Sequence, residues 1–343
     1  MKNSTCLLQP SLATSVALPA IYSLLCPAGS FGNILVAWIF LKQVPTKRTQ
    51  CIYLGNLITA NLLVCSTMPF VAAYFARGYQ WTYVSTVCKA ANHIGTLIMH
   101  VSMYVTIIIL CSTAINQYAT LKKTSDTQYS QAVNENFYRC VLEKFRQPKF
   151  AKYLSIIIWL TVICITVIAI IYNVKEEPKE EDRCYSIAVE ANEITAGIAA
   201  SVGTACFFVS FMTVLLSYYC LTKRLSKIEK NTCIGEKHLI YSTVKRNILV
   251  IQMILTVCFL PYHIFRPIFY VLLTNNDCLR LNYLVEIKNF LTCLAAAKSS
   301  LDPIIILLLD KTVKRSLYGL FTKSTPEHHE HKADIFTGET SKM

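Results

Sequence analysis

Long apolar runs dominate the chain, and its polar positions gather between them. Seven runs, at about 17–41, 51–76, 88–121, 151–174, 190–222, 245–273 and 282–309, reach the roughly 20 apolar residues that cross a bilayer. A run such as 154–171 does not alternate polar with apolar positions, as the strands of a membrane barrel do. Helices are then the spanning structure that satisfies its own backbone in lipid. The pattern predicts an all-α fold, a seven-transmembrane helix bundle over 17–309, with a segment at 1–16 before it and a tail at 310–343 after it. In the tail, Val313, Leu317 and Leu320 share one side, with Lys311, Lys314 and Arg315 on others. That spacing predicts a short amphipathic cytosolic helix lying along the membrane after the seventh span. Residues 1–16 lack a charged stretch leading into an apolar core, so the first run is expected to remain as a span.

Charge sets the orientation. The segments 42–50, 122–152, 223–246 and 310–343 hold twenty-three Lys and Arg. The opposite side holds six, at Lys2, Arg77, Lys175, Lys179, Arg183 and Arg280. Positive charge stays inside, so a multi-pass plasma-membrane protein with its N-terminus extracellular is expected. The formal net charge of +13 then lies beside anionic membrane lipids and calls for no nucleic acid. Apolar residues at 54% and charged residues at 15% exclude an ordinary soluble domain. Asn3-Ser4-Thr5 is a glycosylation sequon on the outer side. The acidic and basic run at 175–182 reads as a solvated outer hairpin.

Of the fifteen Cys, most sit inside apolar runs, where they act as small hydrophobes. Cys6, Cys88, Cys184 and Cys278 lie at or beyond the outer boundary, where disulfides form. Pairing Cys88 with Cys184 would pin the loop after the fourth span over the bundle, and Cys6 with Cys278 would tie down the N-terminus. Four Cys allow three connectivities, all open here. The chain has no phosphate-cradling loop, no H-E-x-x-H and no nucleophile elbow, so neither an enzyme nor a cofactor is expected. His328, His329 and His331 in the tail are not read as a metal site.

Charged and polar groups within the spans are costly and so informative. Arg266 and Lys288 fall near the outer ends of spans six and seven, with Lys89 at the same level on span three. They suit recognition of a phosphate or carboxylate; interfacial snorkelling, or pairing with Glu190, Glu193 and Glu286 at the same depth, is the alternative. His263, one turn below Arg266, is expected at a pocket wall. His93 and His100 are expected to be satisfied interior histidines. Lys298 and Asp302, four residues apart, share one helix face.

Several motifs together resemble a rhodopsin-like (class A) G-protein-coupled receptor over nearly the whole length. Gly32-Asn33-Ile34-Leu35-Val36 is similar to the first-helix pattern, and the stretch from Asn56 to Leu63 to the second. Trp81 with Cys88, and Trp159, resemble the marker residues of the first outer loop and the third and fourth helices. Cys258-Phe259-Leu260-Pro261 resembles the sixth-helix switch with Phe for Trp. Leu301-Asp302-Pro303 resembles the seventh-helix proline motif. Phe259 to Arg266 is similar to the pattern of nucleotide and nucleotide-sugar receptors. In that branch the His, the Arg and a seventh-helix Lys face an anionic ligand; here these are His263, Arg266 and Lys288. The resemblance implies a receptor for an extracellular ligand, with a heterotrimeric G protein, of inhibitory type by analogy, as partner.

The departures from that family are specific. Its third-helix Asp-Arg-Tyr triplet is Asn116-Gln117-Tyr118 here, so the charge that locks the resting state is missing. Ile306 stands in place of a Tyr, the fifth span has no Pro, and the inner loop at about 119–150 is long. The sodium-binding Asp of the second helix corresponds to Asn61, while Lys298 stands where an Asn is usual. The resulting hypothesis is that the Lys298 ammonium occupies the space of the sodium ion and neutralises Asp302; snorkelling of Lys298 to the lipid surface is the alternative. The altered residues also leave open a constitutively active receptor or a non-signalling surface protein. A transporter is disfavoured by the lack of an internal repeat.

Overall fold

The computed structural model describes residues 9–43, 49–78, 86–126, 136–176, 194–230, 235–272 and 278–309. A π-helical turn, Ala13–Ala17, runs into α1, Leu18–Gln43. There follow α2 (Thr49–Ala76), α3 (Thr86–Asp126), α4 (Asn136–Arg146), α5 (Pro148–Glu176), α6 (Ile194–Lys230), α7 (Gly235–Leu272) and α8 (Cys278–Leu309). No strand occurs among the described residues.

Six of these helices contain stretches long and apolar enough to cross a membrane: Ala13–Lys42, Thr49–Ala76, Ile98–Thr120, Ser201–Ser226, Leu249–Leu272 and Cys278–Leu307. The 29-residue α5 covers the remaining apolar run, expected at 151–174. Several helices overrun the spans that hydropathy predicts. The 41 residues of α3 extend about 60 Å, twice the hydrocarbon thickness. Its far end and α4 lie in the segment 119–150, which the sequence pattern treats as a long loop. The amphipathic helix expected at 310–321 lies outside the described residues.

The bundle closes because α8 packs on both α1 and α7, while α3 meets α2, α5 and α6 from the middle. Lipid is as apolar as leucine, so apolar burial does not drive spanning helices together; close packing and polar links do. Two glycines of α1 permit such packing. A Cβ on Gly29 would lie 2.5 Å from the Cys65 Sγ and the Ser300 Oγ, and one on Gly32 would lie 2.7 Å from the Pro303 ring. Ala at Gly29 would push α1 off α2 and α8, and Ala at Gly32 would push it off α8.

Polar links do the rest. Trp159 Nε1 donates to Asn56 Oδ1 at 2.9 Å, and Asn56 Nδ2 donates to Ser155 Oγ at 3.0 Å, joining α2 to α5. Ser300 Oγ donates to the Leu25 carbonyl at 2.8 Å, joining α8 to α1. At the N-terminal edge, the Ser11 backbone N–H donates to Glu286 Oε1 at 2.6 Å and Asn282 Nδ2 to the Gln9 carbonyl at 2.8 Å. The entering chain is thereby strapped onto the start of α8.

Candidate functional site

Three layers of polar chemistry run through the bundle. The first is built on α3, α6 and α7. Arg266 on α7 donates through Nη1 to the Tyr104 hydroxyl of α3 at 2.5 Å, and its guanidinium lies 6.0 Å from the Tyr262 ring centroid. Gly203 of α6 makes room for this pair: an added Cβ would collide with the Tyr104 hydroxyl and come within 3.5 Å of Arg266 Nη1.

One turn along α7, His263 is wholly buried. Its ring stacks on Phe207 of α6, with centroids 3.8 Å apart and planes 10° from parallel. Tyr104 and Tyr262 approach it at 5.8 Å and 5.1 Å. Among the described residues neither ring nitrogen has a hydrogen-bond partner, and the buried hydroxyls of Ser102 on α3 and Thr204 on α6 are also unpartnered. His100 differs: its Nε2 meets the Tyr262 hydroxyl at 2.7 Å, as a satisfied interior histidine should. His263 therefore lies under an aromatic cover contributed by Phe207 rather than at an open pocket wall.

Lys288 of α8 is half-buried, with its ammonium 5.2 Å from the Phe269 ring centroid. Glu286 is engaged by the Ser11 backbone. Cys278 is disulfide-bonded. Cys88 and Lys89 fall within α3, but their side chains are likewise not among those described. Cys6, Cys184 and the Asn3 sequon also lie outside the described residues.

The second layer joins α1, α2 and α8. Asn33 Nδ2 donates to the carbonyls of Gly29 and Ser299, at 2.8 Å and 2.9 Å. Asn61 Nδ2 donates to Asn33 Oδ1 at 3.2 Å and to Asp302 Oδ2 at 3.1 Å. The same carboxylate oxygen receives Lys298 Nζ at 2.5 Å. Lys298 and Asp302 are only 2% and 8% exposed, so Lys298 does not snorkel to the lipid surface. Its ammonium also lies 5.6 Å from the ring centroid of Phe259 on α7. Three helices are thus tied by one hydrogen-bond chain that ends on this carboxylate, next to Pro303 within α8.

The third layer holds the triplet at 116–118. Asn116 is buried, and its carbonyl accepts from the Thr120 hydroxyl at 2.8 Å. Gln117 and Tyr118 are half-buried. A positive charge does stand beside the triplet, supplied from α6: the Arg224 guanidinium lies 5.4 Å from the Tyr118 ring centroid.

Sequence pattern brings His263 and Arg266 together, and likewise Lys298 with Asp302. It does not foresee Tyr104, Phe207 or Gly203. Only Gly203 carries a signal of its own, because glycine inside a helix costs about 1 kcal/mol and usually has a packing reason.

Comparison with known sequences agrees with this architecture. The model of the 7 transmembrane receptor (rhodopsin family) matches residues 32–306. The human protein named "Probable G-protein coupled receptor 82" is 51% identical over 96% of this chain and 98% of its own length. The chimpanzee (Pan troglodytes) "Probable G-protein coupled receptor 34" is 25% identical over 92% of this chain and 78% of its own. A rat (Rattus norvegicus) protein named as a purinoceptor is 24% identical over 94% of this chain and 92% of its own.

Proposed function

The chain belongs to the rhodopsin family of seven-transmembrane receptors, and on that premise we propose that it carries an extracellular anionic signal to heterotrimeric G proteins. It is a multi-pass protein of the plasma membrane, and its N-terminus faces outward by the Lys and Arg count. The ligand class is a nucleotide-like or lipid phosphate, and the G protein is of the inhibitory type.

One observation carries the ligand assignment. Arg266 is a cation held between α3 and α7 by the Tyr104 hydroxyl, and one turn away on α7 the buried ring nitrogens of His263 have no hydrogen-bond partner among the described residues. A planar guanidinium in such a setting is suited to bidentate contact with phosphate or carboxylate. The rat relative is named a purinoceptor, and a purine nucleotide would carry such a phosphate. Lys288 and Lys89 would add point charges from α8 and α3. A disulfide from Cys88 to Cys184, and another from Cys6 to Cys278, would hold the outer loop and the N-terminus over this region. Ligand binding shifts the bundle only by as much as it favours one arrangement over the other. The proline-containing helices α7 and α8 are where such a shift would be absorbed.

The test is activation of a panel of G proteins by the surface-expressed protein, with and without nucleotide and lipid phosphates, beside Arg266→Ala. A phosphate-bearing agonist that loses potency in Arg266→Ala supports the assignment. Agonism by uncharged compounds alone, unaffected by Arg266→Ala, refutes it. A second reading, ligand-independent signalling, is favoured by Gln117, which leaves the triplet without its own cation. Basal activity without ligand that falls in Gln117→Arg would select it.

A further inference from the structure

As the third and sixth spans, α3 and α7 run through the bundle in opposite directions, and two side-chain hydrogen bonds join them. His100 and Tyr104 are one turn apart on α3; Tyr262 and Arg266 are one turn apart on α7. On antiparallel helices, uncrossed links would join His100 to Arg266 and Tyr104 to Tyr262. The bonds formed are the other two. His100 Nε2 meets the Tyr262 hydroxyl at 2.7 Å, and Arg266 Nη1 donates to the Tyr104 hydroxyl at 2.5 Å. The links therefore cross, and the guanidinium lies 6.0 Å from the Tyr262 ring centroid. Crossed links act as a brace. Sliding α7 outward along α3 stretches the Arg266 link, and sliding it inward stretches the Tyr262 link.

The braced stretch of α7 is also where that helix interrupts its own hydrogen-bond ladder. Tyr262, His263 and Arg266 all lie between Pro261 and Pro267. Each proline lacks the N–H that would bond the carbonyl four residues back, at Val257 and at His263. On α6, Gly203 leaves the space in which Tyr104 and Arg266 meet, and Phe207 stacks on His263. A short segment with weakened ends is thus held by α3 through two bonds. One of the two uses the guanidinium that suits an anion.

We propose that Tyr104 is a built-in competitor for the anionic ligand. Its hydroxyl holds Arg266 in the resting bundle, and a phosphate that takes the guanidinium releases one arm of the brace and frees the 262–266 segment to slide outward. This rests on the reading of Arg266 given above and adds what sets its threshold. A phosphate offers two charged oxygens to the guanidinium fork, where the phenol offers one neutral oxygen. Ligands with a bidentate anionic group displace Tyr104; those with a single neutral acceptor do not. A hydrogen bond to a charged group shifts an equilibrium by roughly tenfold or more, so removing the Tyr104 hydroxyl tightens anion binding by about that factor.

The test uses the full-length purified receptor with radiolabelled inorganic pyrophosphate as the anion. Spin labels carried on noncanonical amino acids at two exposed positions, Thr120 of α3 and Arg246 of α7, read the separation of the helices. Tyr104→Phe, which keeps the ring, should bind pyrophosphate about tenfold more tightly than the wild type. Without any anion it should also add a second, displaced component to the distance distribution. Arg266→Gln should show the same displaced component and bind no pyrophosphate. Weaker binding in Tyr104→Phe would make the hydroxyl a ligand contact and overturn the proposal. Unchanged binding overturns it too, as does the wild-type distance alone in both variants. If pyrophosphate binds to none of the three proteins while both variants show the displaced component, the phosphate reading of Arg266 fails and the brace stands. Thermal melts report folding; if Tyr104→Phe does not fold, the distance distribution of Arg266→Gln decides the brace.

Discussion

Lys298→Met keeps the length of the side chain and removes its charge. In the wild-type protein the ammonium and the Asp302 carboxylate are 2.5 Å apart. At an effective dielectric constant of about 20, Coulomb attraction across that gap is roughly 6–7 kcal/mol, and desolvation of two buried ions opposes it. The net worth of the pair is therefore small, but its asymmetry is large. Removing one partner leaves a buried carboxylate supported, among the described residues, by Asn61 Nδ2 alone, at a cost of about 3–5 kcal/mol. Scaling from soluble domains of comparable size, this lowers the melting temperature by roughly 5–15 °C. The double variant Lys298→Met/Asp302→Asn removes both charges and should recover most of the loss. A sodium titration separates the tethered-cation idea from simple pairing. Thermal melts should rise with sodium chloride, but not with choline chloride, in Lys298→Met alone, because only there is Asp302 open to a small cation. Sodium-specific stabilisation of the wild-type protein would show that Lys298 does not take the ion's place. A double variant as unstable as the single one would show that the cost lies in packing and not in charge.

Three further outcomes follow from the geometry. Gly203→Ala should destabilise the bundle by about 1–3 kcal/mol through collision with the Tyr104 hydroxyl, and Tyr104→Phe in the same chain should relieve part of the loss in thermal melts. Trp159→Phe removes the donor to Asn56 Oδ1 and should cost about 1 kcal/mol; no change in the melt would mean that this α2–α5 link adds nothing. Glu286→Ala should raise hydrogen exchange across Ala13–Ala17 severalfold, while Glu286→Gln, which keeps an acceptor for the Ser11 N–H, should leave it nearly unchanged.

What could be read from the chain alone follows from what lipid imposes. A span must be long and apolar, so run length locates the crossing helices without any knowledge of their neighbours. The same rule hides α4, whose 11 residues are too short and too charged to register as a span. Lys298 and Asp302 are legible as a pair because a single helix brings them together at a spacing of four. Arg266 and Tyr104 are 162 residues apart on different helices, and nothing in either local pattern names the other. His263 shows how far the gap reaches. Its place near Arg266 follows from helix periodicity, but whether it faces a cavity depends on Phe207, an unremarkable aromatic in an apolar run of α6. Because the lipid solvates every apolar face alike, hydropathy marks what enters the membrane but not which faces meet there. That second choice rests on a few polar groups and glycines. Asn33, Asn61 and Asp302 tie three helices through one hydrogen-bond chain, and Gly29, Gly32 and Gly203 admit the neighbours that a side chain would exclude. These residues can be marked from sequence as out of place in a membrane helix; their partners emerge only when the helices are packed.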